Sequence, residues 1–246
     1  MVTQLNQKKV NVLYEDNHLI AVEKPAGVLV QADKVSIEKG EPVLMDMVKG
    51  YIKDKYNKPG NVFLGLIHRL DRPVRGIVLF AKTSKGASRL SEQFRDRETS
   101  KTYHAWVEGN VARANDTLKN YLVKDENRRK AFVYNAEAPG SQYAELEYKV
   151  LEKTMLSEDK GISPPRPASL LVVQLKTGRF HQIRAQLSHI GHPIVGDVKY
   201  GSHVVFPDGH IELVASSLTF RTATSTTSEN GDEKILTLQV PPVIYL

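Results

Sequence analysis

Within the stretch Ile67–Thr83, IHRLDRPVRGIVLFAKT, Asp71 is a single carboxylate no more than four residues from His68, Arg69, Arg72 and Arg75. Cations at that spacing favour the ionised form, and an ionised carboxylate at neutral pH suits a nucleophile better than an acid. Ile77, Val78, Leu79, Phe80 and Ala81 follow as an unbroken apolar run, which reads as a strand covered on both faces. The segment before it is polar and broken by Pro73, so Asp71 sits on a loop held against a rigid strand, the usual seat of chemistry. An aspartate before a strand more often simply closes a turn. The charge gathered around Asp71 is what sets it apart.

Two other clusters carry residue types of the same interest. Ser100–Gly109, SKTYHAWVEG, alternates in part and reads as a strand, where Tyr103 would ordinarily pack half-buried with its hydroxyl toward water. In Lys176–Tyr200, the residues Phe180, Ile183, Leu187 and Ile190 fall three and four apart and predict a helix from about Arg179 to His189. Arg179 and Arg184 then flank that stripe on opposite sides. Each could send its head to water over an apolar stem, although Arg179 at the helix start could instead meet a phosphate. His181, His189 and His192 with Asp197 would suit a metal-dependent hydrolase. His181 and His189 are eight residues apart, however, and a helix separates them by roughly 12 Å, too far for one ion. A kinase reading of HRLD fails for want of the downstream Asn, the DFG segment and the Gly-rich loop in place.

The elements that must position these residues follow in order. Val10–Tyr14 and Leu19–Val22, parted by Glu15-Asp16-Asn17-His18, predict a hairpin. Leu44, Val48, Tyr51 and Ile52 predict a core-facing helix between Glu41 and Tyr56. A second helix follows the central strand, capped by Thr83 or Ser84, with Ala87, Leu90 and Phe94 turned inward. Residues 125–138, with Arg128, Arg129 and Lys130, are either a hairpin that faces a polyanionic partner or a surface loop. Tyr143–Leu151 alternates as a strand with one wet face, Thr154–Pro167 reads as a mobile insertion, and Leu170–Leu175 resumes the strands. The runs ELVASSLTF and ILTLQV close the chain, separated by the polar Thr222–Glu233. Strands with interspersed helices and no sustained βαβ rhythm predict one mixed α+β domain over residues 1–246.

Composition bounds the partners. The net charge of +6 leans toward a polyanion, and the absence of cysteine excludes disulfides and thiolate metal sites and fits a reducing compartment. No stretch approaches the roughly 18 apolar residues of a membrane span, and the first ten residues lack a leader's apolar region. A soluble, cytoplasmic protein without a membrane partner is expected.

His68-Arg69-Leu70-Asp71, four residues, Gly76 and an apolar strand ending Ala81-Lys82-Thr83 resemble the signature of the RluA-type RNA pseudouridine synthases. LYEDNHLIAVEKPAGVLVQ is similar to the start of that family's catalytic domain, the Lys-x-Tyr-x-Ala pattern at Tyr103 to its second motif, and TGR, HQIR, GHPI and GD-x-KYG to its third, all in the family's order. The catalytic domain begins about ten residues into the chain, so an N-terminal S4 RNA-binding module is not expected. The resemblance implies the pseudouridine synthase fold: a long, largely antiparallel mixed sheet with flanking helices and a central RNA-binding cleft. It implies isomerisation of a uridine in structured RNA, ribosomal RNA first and transfer RNA second, by a monomer that uses no metal, nucleotide or redox cofactor. In that family the aspartate of HRLD is the nucleophile, here Asp71, attacking C6 of the base or C1′ of the sugar. Arg184 would pair with it, Tyr103 would stack on the flipped uracil and could assist proton removal, and Arg69, Arg179 and His181 would hold the backbone or flipped nucleotide. One departure is Pro73-Val74-Arg75-Gly76, where the commoner family form has Thr-Ser-Gly; an arginine there adds a charge beside the cleft. The alternative reading is an RNA-binding protein of the same fold with little turnover.

Overall fold

The computed structural model describes residues 10–157, 162–222 and 234–241. Their strands form an 11-stranded sheet. The hairpin β1 (Asn11–Glu15) and β2 (Leu19–Lys24) turns on Asp16, whose Oδ1 accepts the backbone N–H of His18 and Leu19. Helices α1 (Lys34–Lys39) and α2 (Leu44–Lys55) follow, then the two-residue β3 (Gly65–Leu66), the central β4 (Arg75–Ala81) and helix α3 (Ser84–Arg95). Next come β5 (Ser100–Glu108), β6 (Asn115–Asp125), β7 (Lys130–Tyr134), β8 (Gln142–Leu156) and β9 (Arg166–Leu175). Helix α4 (Gln182–His189) and strands β10 (Leu213–Arg221) and β11 (Ile235–Gln239) complete the set. The order across the sheet is β1-β2-β4-β10-β5-β9-β8-β6-β7, with β3 beside β4 and β11 beside β10. Every pairing is antiparallel except β4 with β10.

The apolar run of β4 is covered on both faces, as its composition requires. Val78 and Phe80 join the cluster formed with α2 and α4, while Ile77 and Leu79 join Leu90 of α3 and Phe220 of β10. Each such side chain stabilises the fold by about 1.5–3 kcal/mol, which makes β4 a rigid mount for the loop before it. Gly76 lets β4 come close to β10. At φ 130 its backbone favours glycine, and a Cβ there would collide with the main chain of Ala215.

Several boundaries differ from the sequence reading. The capping box between Asp33 and Ser36 starts an additional helix, α1. Thr83 caps α3 by accepting from Gly86 N–H, as expected. Residues 125–138 hold a hairpin, since β6 and β7 pair from Tyr121↔Tyr134 to Asp125↔Lys130. The expected insertion Thr154–Pro167 shrinks at both ends, because β8 continues to Leu156 and β9 starts at Arg166; residues 158–161 lie outside the described residues. Most of the polar Thr222–Glu233 also lies outside them. Helix α4 begins at Gln182 rather than Arg179. His181 takes left-handed φ 52, and Gln182 Oε1 accepts both Arg179 N–H and the Thr177 hydroxyl, closing a turn where a first helical turn was expected.

Candidate active site

The loop Leu70–Val74, the start of β5 and the N-terminal part of α4 enclose a cleft of about 990 Å³. All six residues singled out from the sequence line it: Asp71, Tyr103, Arg184, Arg69, Arg179 and His181. The structure brings them together across more than a hundred residues of chain.

Asp71 is not held as the local charge density suggested. Arg72 donates its Nε–H to Gly27 O and pairs with Glu41, while Arg75 donates Nη2–H to Pro241 O and lies 3.6 Å from Glu23. Arg69 is exposed at the cleft, and His68 turns away, stacked on Phe94 with Nε2 accepting Leu79 N–H. Burial, and secondarily Lys101, push the His68 ring down to about 3, so it is neutral. The cation that reaches Asp71 is Arg184, from α4, whose Nη1–H donates to Oδ2 at 2.9 Å. Asp71 Oδ1 has no partner among the described residues, and the side chain keeps 28% of its exposure.

Arg184 is buried in turn. Its Nε and Nη2 donate in a fork to Asp197 at 2.7 and 2.9 Å, and its guanidinium lies over the Tyr200 ring. Burial alone would lower its proton affinity; the bonds to Asp197 and then Asp71 outweigh it and hold the cation firmly charged. A side chain expected at the helix margin is thus the centre of a carboxylate–guanidinium–carboxylate chain. Asp197, in the GD-x-KYG segment, was weighed only as a metal ligand, and its position beneath Arg184 had no signal in periodicity.

His181 closes the other side. Its Nε2 is 3.4 Å from Asp71 Oδ2 and its Nδ1 is 2.9 Å from the Tyr200 hydroxyl, which accepts Ala131 N–H. Burial, only partly opposed by Asp71, brings the ring down to about 4, so it is neutral at pH 7. The arrangement that satisfies every group places the proton on Nε2, facing the carboxylate, and has Tyr200 O–H donate to Nδ1. His189 meets Asn135 and His192 meets Glu108 O, so the three histidines of the metal reading have separate surroundings. Tyr103 also lines the cleft, and burial, then the charge of Asp71, push its hydroxyl upward, so the phenol keeps its proton at neutral pH. Arg179, displaced from the helix, donates Nε–H to Tyr143 O.

Lys24 is a support the sequence reading passed over. Fully buried, it donates to Pro25 O, Val28 O and Arg72 O, tying the Lys-Pro-Ala-Gly turn to the loop that carries Asp71. Burial draws its pKa down to about 7, against the pull of Asp71. The departure at Val74-Arg75 also reads differently in three dimensions. Arg75 does not line the cleft, so the charge expected beside the substrate is spent on Glu23 and the C-terminal main chain instead.

The site is thus a solvent-open cleft lined by an anchored carboxylate and an aromatic ring on a largely antiparallel α+β scaffold. Residues 18–189 match the family model described as RNA pseudouridylate synthase. The chain belongs to that family, in its RluA-type branch. It is 35% identical over 193 residues to tRNA pseudouridine synthase C of Vibrio cholerae, covering 78% of this chain and 75% of that protein. It is 35% identical over 216 residues to tRNA pseudouridine synthase C of Pectobacterium carotovorum, covering 84% of this chain but 54% of that protein, so it spans about half of that relative's length. Human RNA pseudouridylate synthase domain containing 1 shares the fold, with a TM-score of 0.69 over 96% of this chain and 84% of that one at 21% identity. No helix among the described residues is long and apolar enough to cross a membrane.

Proposed function

We propose that this chain isomerises a uridine of transfer RNA to pseudouridine, with Asp71 as nucleophile. The observation that carries the proposal is the free Oδ1 of Asp71, presented to the cleft while Oδ2 is fixed by Arg184, with His181 Nε2 3.4 Å away. An attacking oxygen must be unspent, and its partner oxygen must be held so that the attack has one direction. The names of the similar proteins favour transfer RNA over the ribosomal RNA first expected.

In this reading the target nucleotide leaves its stack and its uracil lies on Tyr103. Asp71 Oδ1 attacks C6 of the base or C1′ of the ribose, the N1–C1′ bond breaks, a C5–C1′ bond forms, and the bond to Oδ1 breaks to return the free carboxylate. The proton on C5 leaves and N1 gains one, so the reaction is an isomerisation that needs no outside electrons. Arg184 orients the carboxylate through Oδ2, and Arg69, Arg179 and His181 line the path of the nucleotide. Pseudouridine measured in transfer RNA from cells with and without the gene tests the proposal. Loss of a specific modification on deletion, restored by the wild-type gene and not by Asp71→Asn, is expected; an unchanged modification pattern would overturn it and favour an RNA-binding protein without turnover.

A further inference from the structure

Beyond Tyr103 the cleft continues to a wall to which the proposed chemistry gives no task, formed by Phe94, Arg97, Thr99, Lys101 and Gly178. Lys101 precedes Tyr103 by two positions on β5, so the two side chains leave the same face of the strand about 7 Å apart. The Lys101 ammonium rests over Phe94, 5.5 Å from the ring centroid, and has no carboxylate or hydrogen-bond acceptor among the described residues. Burial lowers its proton affinity, and the neighbouring Arg97 lowers it further. Arg97 is exposed, held at a left-handed φ of 61, and likewise has no ion pair or hydrogen bond among the described residues.

The same wall adds a main-chain donor, and the carboxylate that also lines the cleft, Glu145, accepts from the Tyr143 hydroxyl. Gly178 lies so near Lys101 that a Cβ on it would sit 3.6 Å from the ammonium, and its N–H makes no main-chain hydrogen bond among the described residues. Thr99 Oγ1 is buried without a partner beside them. Elsewhere the buried cations are matched: Arg184 has two carboxylates, Lys82 has Glu15, and Lys24 has three carbonyls. Two like charges, one of them partly desolvated, raise the free energy unless an anion joins them.

We propose that Lys101, Arg97 and the Gly178 amide form a phosphate subsite that grips the RNA backbone beside the uridine lying on Tyr103. This rests on the pseudouridine synthase reading and moves the phosphate contact from Arg179, already bonded to Tyr143 O, to the other side of the cleft. The strand spacing then sets how far the held phosphate lies from the stacked base.

The test is the affinity for unmodified transfer RNA transcripts over a salt series. Lys101→Met keeps the stem over Phe94 and removes the charge; it should weaken binding about tenfold and flatten the slope of log affinity against log salt by about 0.7–0.9. Lys101→Arg should restore both, and Lys153→Gln, exposed on β8, should change neither. Arg97→Gln, at an exposed site where folding is not at stake, should shift the slope in the same direction by less. Unchanged slopes in Lys101→Met and Arg97→Gln would overturn the subsite. Failure of the underlying reading would show separately, as wild-type protein that makes no pseudouridine in these transcripts whatever its salt dependence.

Discussion

Glu15 and Asp71 both stand among cations, and of the two only Asp71 lines the cleft. Glu15 accepts from Lys55, Lys82 and Tyr56 at 2.6–2.8 Å and from Tyr51 at 3.3 Å, with 8% of its side chain exposed. Burial would raise its pKa, yet these contacts bring it down to about 2. It has more cationic partners than Asp71, and every one of its bonds joins parts of the scaffold: β1, α2 and the end of β4. Asp71 has one arginine, one neutral histidine and an oxygen left over. The difference teaches that charge density marks a structural clamp as readily as a nucleophile. What separates them is an unspent lone pair in a cleft.

The largest stability effect belongs to the support under Asp71. Arg184→Met strands Asp197, 1% exposed, as an uncompensated buried charge, for a loss of about 3–5 kcal/mol. Most of that loss should vanish in the Arg184→Met, Asp197→Asn double variant and much less of it with Asp71→Asn, as read by chemical denaturation in a double-mutant cycle. Equal coupling to both acids would break the view that Asp197 is the anchor and Asp71 the free end.

On the scaffold side, Glu15 has a folded pKa of about 2 against about 4.5 when free. Its contribution is therefore present above about pH 4.5 and lost as the pH falls toward 2, amounting to about 3 kcal/mol. Glu15→Gln should flatten the acid limb of the stability profile in that window. His181, at about 4 when folded against about 6.5 when free, also stabilises the native state less as pH falls, but between about 6.5 and 4. His181→Asn, which tolerates the left-handed backbone, should remove about 3 kcal/mol of that pH-dependent change in urea titrations run across the window. The smallest effect is expected of Arg75→Ser, which restores the commoner family residue. Losing the Glu23 and Pro241 contacts should cost about 1 kcal/mol, while the KM for RNA stays within about twofold because Arg75 is outside the cleft.

Much of this was legible in the chain because period and punctuation report local structure. The doubly covered β4, the Thr83 cap and the apolar stripe of α2 follow from residues near one another in sequence. The membership of the cleft was legible too, through motifs whose order matched a family. What stayed hidden was which cation serves which acid. Arg72 and Arg75 lie within four residues of Asp71 in sequence and leave it for Glu41 and Glu23; the arginine that stays is 113 residues away. The start of α4 was missed because Gln182 closes the preceding turn with its side chain, a hydrogen bond that hydrophobic periodicity does not register. Lys24 was missed for a related reason: its partners are main-chain carbonyls, which have no sequence signature.

The most direct test sets the two carboxylates against each other. Pseudouridine formation in transfer RNA and thermal unfolding should be measured side by side for Asp71→Asn and Glu15→Gln. The account predicts that Asp71→Asn loses at least about a thousandfold in rate, a barrier change of about 4 kcal/mol, with its melting temperature nearly intact. It predicts that Glu15→Gln turns over at the wild-type rate at temperatures where it is folded, but melts several degrees lower. Turnover retained by Asp71→Asn, or abolished in fully folded Glu15→Gln, would contradict it.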